Sequence, residues 1–379
     1  MLLIAGCSAD DVVKETTSEE AIAISFSCNY DDKEEGNITR AGHQGVMNTE
    51  DLYASGFGVM ASTTAGTVEP YDNKPNLMYN QEVKFTFVGD MGLSNPADPK
   101  SDTLRGYWSY QPVKYWPTDL THCYISAYAP YVDPTSLVGL PADATGIVGI
   151  SPNTEEPYIT YRRCEKPDKV VDLLWYYKDF VNESGDTEDI PDAGILDMKM
   201  HHALARLEIK VAVAADPGTT KVLVDSISLK GTMTRTANLI LNKDDGTGDN
   251  HYPHWEALDP ADTENRTIII DNEDNNPTSY GIIDSKVRYI PGMPYSWQPA
   301  GLTTTLQNAL STGDRTGYVY LIPVGALTVE VKVKYRKWTQ GDAKPTTGIK
   351  TTTVTPATLV NPLKGNTTYT LNITLSGGI

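Results

Sequence analysis

The side chains able to do chemistry in this sequence are six histidines, four cysteines and two acidic runs. His201 and His202 are adjacent in a stretch that reads as a strand. Neighbouring strand side chains point to opposite faces, so the two cannot share one metal ion; one is expected to face the core and the other to face out. His251 and His254 flank Pro253 in a loop, while His43 and His122 stand alone. The runs Asp244-Asp245-Gly246-Thr247-Gly248-Asp249 and Asp271-Asn272-Glu273-Asp274-Asn275 carry the oxygen ligands that calcium prefers. Neither has the spacing of an EF-hand, and both read as solvated loops. There is no G-x-S-x-G, no glycine-rich phosphate loop and no H-E-x-x-H. The chain therefore reads as a non-enzyme that needs no metal and no cofactor.

The chemistry that is legible sits at the start. Leu3-Ile4-Ala5-Gly6-Cys7 reads as a lipobox, in which small Ala5 and Gly6 admit a signal peptidase and Cys7 becomes the lipidated N-terminus. Such a chain is exported and tethered to a membrane by its acyl chains. No basic segment and only a stub of apolar sequence precede the lipobox, so the natural start is expected to lie upstream. Cys28, Cys123 and Cys164 remain, an odd number without metal-ligand spacing, and they read as thiols within strands.

The elements that would carry these residues are strands. The chain has 379 residues, with 22 Tyr against 5 Phe and 6 Trp, and its 24 Pro and 30 Gly interrupt nearly every helical reading. Length suits two domains, with a tether at 1–20, a first domain at 21–195 and a second at 196–379. No apolar run is long enough for a membrane-spanning helix. With 49 Asp+Glu against 31 Lys+Arg and a formal net charge of −18, nucleic acid is excluded as a partner. The segment 21–28 alternates, with Ile22, Ile24, Phe26 and Cys28 on one face of a half-buried first strand. Leu327, Val329, Val331, Val333 and Tyr335 alternate with Glu330, Lys332 and Lys334 in the clearest strand. The stretch from Leu207 to Val213 is expected to form a hairpin with Val222 to Lys230 across Asp216-Pro217-Gly218. Short strands and frequent turns predict an all-β chain of antiparallel sandwiches. Tyr107, Trp108, Tyr110, Tyr115 and Trp116 read as core rings, with stacking on sugars as the other use of such residues.

Four stretches resemble the fimbrillin family, the Mfa-like lipoprotein pilins of Bacteroides-type bacteria. They are Cys7-Ser8-Ala9-Asp10-Asp11, then Ile38-Thr39-Arg40-Ala41, then the aromatic block from Trp108 to Tyr131. The last is Asp172-Leu173-Leu174 with His202-Ala203-Leu204-Ala205-Arg206-Leu207 and the C-terminal strand from Gly365 to Leu375. The resemblance implies two transthyretin-like β-sandwiches in tandem. It implies export as a lipoprotein to the outer membrane and cell surface. There an Arg-specific surface protease cuts the loop 36–42, between Arg40 and Ala41. The first strand, with Ile22, Ile24 and Phe26 as its plugs, then gives way to a strand from another pilin subunit.

Stalk pilins of that family carry a donor extension after the last domain, whereas only Ser376 to Ile379 follow the final strand here. This departure implies a tip subunit, facing a host or microbial receptor. Two other readings remain: an uncleaved anchor subunit, and a surface glycan-binding lipoprotein of a polysaccharide-uptake system. The second predicts no processing and coplanar exposed rings.

Overall fold

The computed structural model describes residues 22–30, 47, 49–64, 74–87, 106–117, 122–165, 170–181, 191, 194–214, 220–247, 250–271, 281–282, 303–307, 318–324, 328–339, 346–354 and 363–376. The chain is all-β, as the sequence predicts. The strands of the first half are β1 (Ser25–Tyr30), β2 (Phe57–Thr64), β3 (Met78–Phe87), β4 (Gly106–Ser109), β5 (His122–Ala129), β6 (Gly146–Ile150), β7 (Tyr158–Arg162), β8 (Leu174–Val181) and β9 (Ile195–His202). Those of the second half are β10 (Ala205–Ala214), β11 (Thr220–Asp244), β12 (Pro253–Asp271), β13 (Gly281–Ile282), β14 (Thr303–Gln307), β15 (Tyr318–Leu321), β16 (Thr328–Thr339), β17 (Thr346–Val354) and β18 (Thr368–Ser376). One short helix, α1 (Thr49–Ser55), precedes β2 and was not apparent from the sequence. Gly56, at φ +65°, ends it, and its N–H closes on the Leu52 carbonyl.

Strand alternation sorts these elements into three sheets. The first has seven strands in the order β1-β9-β8-β5-β2-β3-β4. Its inward residues, among them Phe57, Val59, Ile125, Ala127, Leu196, Met198 and Met200, form one core with Leu52 of α1. That core lies within the curl of a single sheet, because the two sheet ends meet: Ala23, just before β1, bridges Tyr115, just after β4.

The second sheet runs β13-β14-β10-β15, with β18 alongside β10. The third runs β17-β16-β11-β7-β6, with β12 alongside β11. These two sheets pack face to face over Leu207, Ile227, Leu229, Val331, Val333, Leu371 and Ile373. Val329, Val331, Val333 and Tyr335 are buried on β16, while Lys332 and Lys334 are exposed, as the alternation predicts.

The third sheet spans both halves of the chain. The last part of β11 pairs with β7, and its residues Ala237, Leu239 and Leu241 pack with Tyr128, Tyr161, Leu173 and Trp175 in a third core. Two buried indoles fasten this junction, Trp175 to the Leu241 carbonyl (3.2 Å) and Trp255 to the Ala203 carbonyl (2.9 Å). The sequence boundary at 195/196 falls at the first residues of β9, which pairs within the first sheet.

One expected pairing is overturned. β10 and β11 are not a hairpin: β10 pairs with β14, β15 and β18, and β11 with β12, β16 and β7. Leu207 and Ile227 face each other in one core, so the two strands stack across the sandwich instead of sharing an edge.

Candidate functional site

The first strand lies at one end of the first sheet. Among the described residues β1 pairs along its length with one strand, β9, in parallel, from Ser25 opposite Ile195 to Tyr30 opposite Met200. Its entry is held from the other side. The Ile24 N–H donates to the Lys114 carbonyl (2.9 Å) and the Trp116 N–H to the Ile22 carbonyl (2.8 Å). The Tyr110 hydroxyl, itself buried, donates to the Ile24 carbonyl at 2.9 Å. β1 therefore sits in a slot whose walls are β9 and the segment at 114–116.

Alternation along β1 aims three side chains inward. Ile24 is 1% exposed, Phe26 6% and Cys28 3%, while Ser25 faces solvent. Phe26 meets Phe57 edge-on, with centroids 5.7 Å apart at 88°, and Tyr110 at 5.4 Å and 60°. Ile22 lies at the mouth of the slot and is 40% exposed. Burial raises the Cys28 thiol pKa well above its ordinary value, and nearby Asp197 adds to the effect. Gly194 shapes the slot mouth. Its φ is +71°, and a Cβ there would collide with the Ala23 carbonyl and the Ile22 side chain. The Trp116 indole donates to the Gly194 carbonyl at 3.0 Å and closes the same corner.

A second feature fixes the chain at residue 47. The Met47 N–H donates to Asp172 Oδ2 at 3.1 Å, and His202 Nδ1 lies 2.7 Å from the same oxygen. Asp172 Oδ1 accepts from the Leu173 N–H at 2.9 Å. These buried groups hold residue 47 against both β9 and the turn before β8. The expected lipidation at Cys7 and the expected cut between Arg40 and Ala41 lie outside the described residues, as do the tether 1–20 and the loop 36–42.

The other described histidines are occupied structurally. His201 and His202 are both buried, not one in and one out, because the third sheet covers the outer face at this junction. His201 stacks on His251 at 4.8 Å. His251 bonds Asp244 (2.6 Å), and His254 lies between Asp245 (2.8 Å) and Glu256 (3.2 Å). These contacts tie down the turn between β11 and β12. Among the described residues no group of three or more His, Cys, Asp or Glu side chains is arranged to hold a metal ion.

The aromatic residues divide. Tyr110 and Trp116 are in the core, whereas Tyr107 and Tyr115 are more than half exposed. Trp108 is half-buried and meets Phe57, Phe85 and Tyr53 edge-on. An apolar cavity of about 310 Å³ opens beside Met233, Leu321, Ile322, Val324 and Leu363, and among the described residues no titratable side chain lines it.

A family model described as fimbrillin-like matches residues 39–378. No curated protein matches the sequence. Among solved structures, a Bacteroides uniformis protein assigned to cell adhesion is 11% identical, with 95% of this chain and 94% of that one aligned and a TM-score of 0.38. A Bacteroides ovatus protein with the same assignment is 12% identical over 94% and 92% of the two chains, with a TM-score of 0.37. A fimbrial protein of Bacteroides ovatus is 10% identical over 94% of this chain and 50% of that one, at a TM-score of 0.31.

Proposed function

The chain belongs to the fimbrillin-like family, and from that premise we propose that it is a pilin subunit assembled by exchange of its first strand. The observation that carries this reading is the bonding of β1. Among the described residues it is an edge strand, paired along its length with β9, that places Ile24, Phe26 and Cys28 in the core of the first sheet. Losing it would open an apolar slot with an unpaired β9 edge, which is the form of site that takes a strand from another chain. The three buried side chains together stabilise the fold by several kcal/mol, at about 1.5–3 kcal/mol for each large one. That is comparable with the net stability of a domain, so the slot needs a replacement strand.

The trigger is cleavage by an Arg-specific surface protease between Arg40 and Ala41, in the connection between β1 and α1. Two observations support it. The anchor at Met47 lies seven residues beyond Arg40 and holds the chain on the far side of that bond from β1. The fimbrillin-like match begins at residue 39 and so omits β1. The precursor is exported as a lipoprotein, acylated at Cys7 and held to the outer membrane until cutting releases it. The role is structural and adhesive, with other pilin subunits as strand partners and a host or microbial receptor as target. Within the fibre the subunit is assigned to the tip, as an acceptor of a strand.

The test is limited digestion of the full chain with an arginine-specific protease, followed by N-terminal sequencing and size exclusion. One early cut giving Ala41 as the new N-terminus, and a body that then associates with a strand-donating subunit without polymerising on its own, is the expected result. Self-polymerisation would place the subunit in the stalk. Resistance at Arg40, or cutting scattered over many loops, would make β1 a permanent strand and overturn the reading.

A further inference from the structure

We infer that the β1 slot selects its incoming strand by a three-position pattern: a branched aliphatic side chain first, an aromatic one second and a small one third. This rests on the strand-exchange reading and names the chemistry of the strand that takes the place of β1. The three inward positions of β1 have unlike surroundings, and each surrounding sets a different requirement.

At the first position the main chain is clamped. Ile24 is bonded through its N–H to Lys114 and through its carbonyl to the Tyr110 hydroxyl, each at 2.9 Å, and its side chain is 1% exposed. A residue held extended on both sides favours β-branching, which stiffens the side chain in that conformation.

At the second position the environment is aromatic. Phe26 lies edge-on between Phe57 and Tyr110 and beside its β9 partner Leu196, which is itself buried. An aliphatic residue forfeits both edge contacts, and alanine also leaves a cavity.

At the third position the core is closed. Cys28 is 3% exposed, opposite Met198, which is fully buried, and shares its core with buried Tyr176. A ring here adds volume to that closed core, and overpacking of this kind is destabilising. Direction follows from the bonding. A strand running as β1 does recovers both the parallel pairing with β9 and the antiparallel bridge at Tyr115. One running the other way presents the small position where the clamp is and the aliphatic one where the thiol lies.

The experiment uses the full chain nicked after Arg40, with β1 still seated, or nicked at a second protease site placed in the same loop if that bond resists. A labelled peptide of residues 22–30 is exchanged in, and unlabelled variants compete with it. The native peptide and Ser25→Ala are expected to compete equally. Phe26→Ala, Cys28→Phe and the doubly changed Ile24→Phe/Phe26→Ile are each expected to compete at least about tenfold less well. Equal competition by all variants overturns the pattern while strand exchange stands. Failure of the native peptide to enter a fully nicked chain overturns both readings.

Discussion

Asp172 Oδ2 lies 2.7 Å from His202 Nδ1 and 3.1 Å from the Met47 nitrogen, and the three residues are between 1% and 2% exposed. The pair joins the turn before β8, the end of β9 and the chain that follows the connection from β1. Removing the carboxylate takes this partner from the buried Met47 N–H and from His202 Nδ1, at a cost of about 1–3 kcal/mol for an unsatisfied buried group. Asp172→Ala is expected to lose that much stability in urea denaturation. It is also expected to expose the chain around residue 47 to proteases after the Arg40 bond is cut. A loss under about 1 kcal/mol would mean that packing alone holds Met47.

The plugs of β1 differ in what their loss does. Phe26→Ala removes a ring wedged against Phe57 and Tyr110, and aromatic truncations in cores cost about 3–5 kcal/mol. Tyr110→Phe deletes the hydroxyl that donates to the Ile24 carbonyl and accepts from the Lys114 N–H, hydrogen bonds worth about 1 kcal/mol each. Ser25→Ala, on the exposed side, is expected to fall within about 0.5 kcal/mol of the parent. The order Phe26→Ala, Tyr110→Phe, Ser25→Ala should hold both for unfolding and for the rate at which the nicked first strand dissociates. An order that differs between the two measurements would separate the core contribution of β1 from its role as a seated strand.

The first strand was readable because its alternation, Ile24, Ser25, Phe26, Ser27 and Cys28, is local. The same holds for β16, where four inward side chains alternate with Glu330 and lysines. What sequence did not reveal is long-range. Asp172 and His202 both fall in stretches that resemble fimbrillins, yet nothing in their spacing of thirty residues pairs them. The placement of β10 and β11 in different sheets was hidden for a related reason. Two amphipathic stretches separated by a Pro-Gly sequence look alike whether they pair edge to edge or stack across a core. α1 is too short, at seven residues, to leave a helical period. The slot walls at Lys114, Trp116 and Gly194 come from three places in the chain and meet only on folding.

Alkaline pH gives a separate check on burial. Cys123 is pushed up to about 12, first by burial and then by Asp179, and burial raises the Cys28 thiol as well. An unfolded thiol ionises near pH 9, so above that pH the unfolded chain binds fewer protons than the native one. Stability is therefore intact below about pH 9 and falls as pH rises toward the folded value, by about 1.4 kcal/mol per unit for each such group. Buried tyrosines Tyr128, Tyr161 and Tyr176, also raised by burial, add to the fall at higher pH. Urea midpoints measured between pH 8 and 11 should drop in the parent and drop less steeply in Cys123→Ala. Identical slopes in the two proteins would mean that Cys123 is accessible to water in solution.

Gly194 allows a test that leaves every plug intact. Its positive φ disfavours any side chain, and a Cβ would strike the Ala23 carbonyl and Ile22 at the slot mouth. The left-handed conformation alone costs a non-glycine residue about 1–2 kcal/mol, and the collision adds to it. The relief open to the chain is for residues 22–23 to lift away, which breaks the bonds to Lys114 and Trp116 but leaves Phe26 and Cys28 in place. Gly194→Ala is therefore expected to loosen the entry of β1 more than its seat. Hydrogen exchange should speed up at Ile24 and Trp116, whose amides make those two bonds, while amides in β5 and β8 keep their protection. In the nicked chain the peptide of residues 22–30 should then leave about tenfold faster than from the parent. Uniformly faster exchange across the first sheet would show instead that Gly194 supports the whole sheet, and that the slot mouth has no independent give.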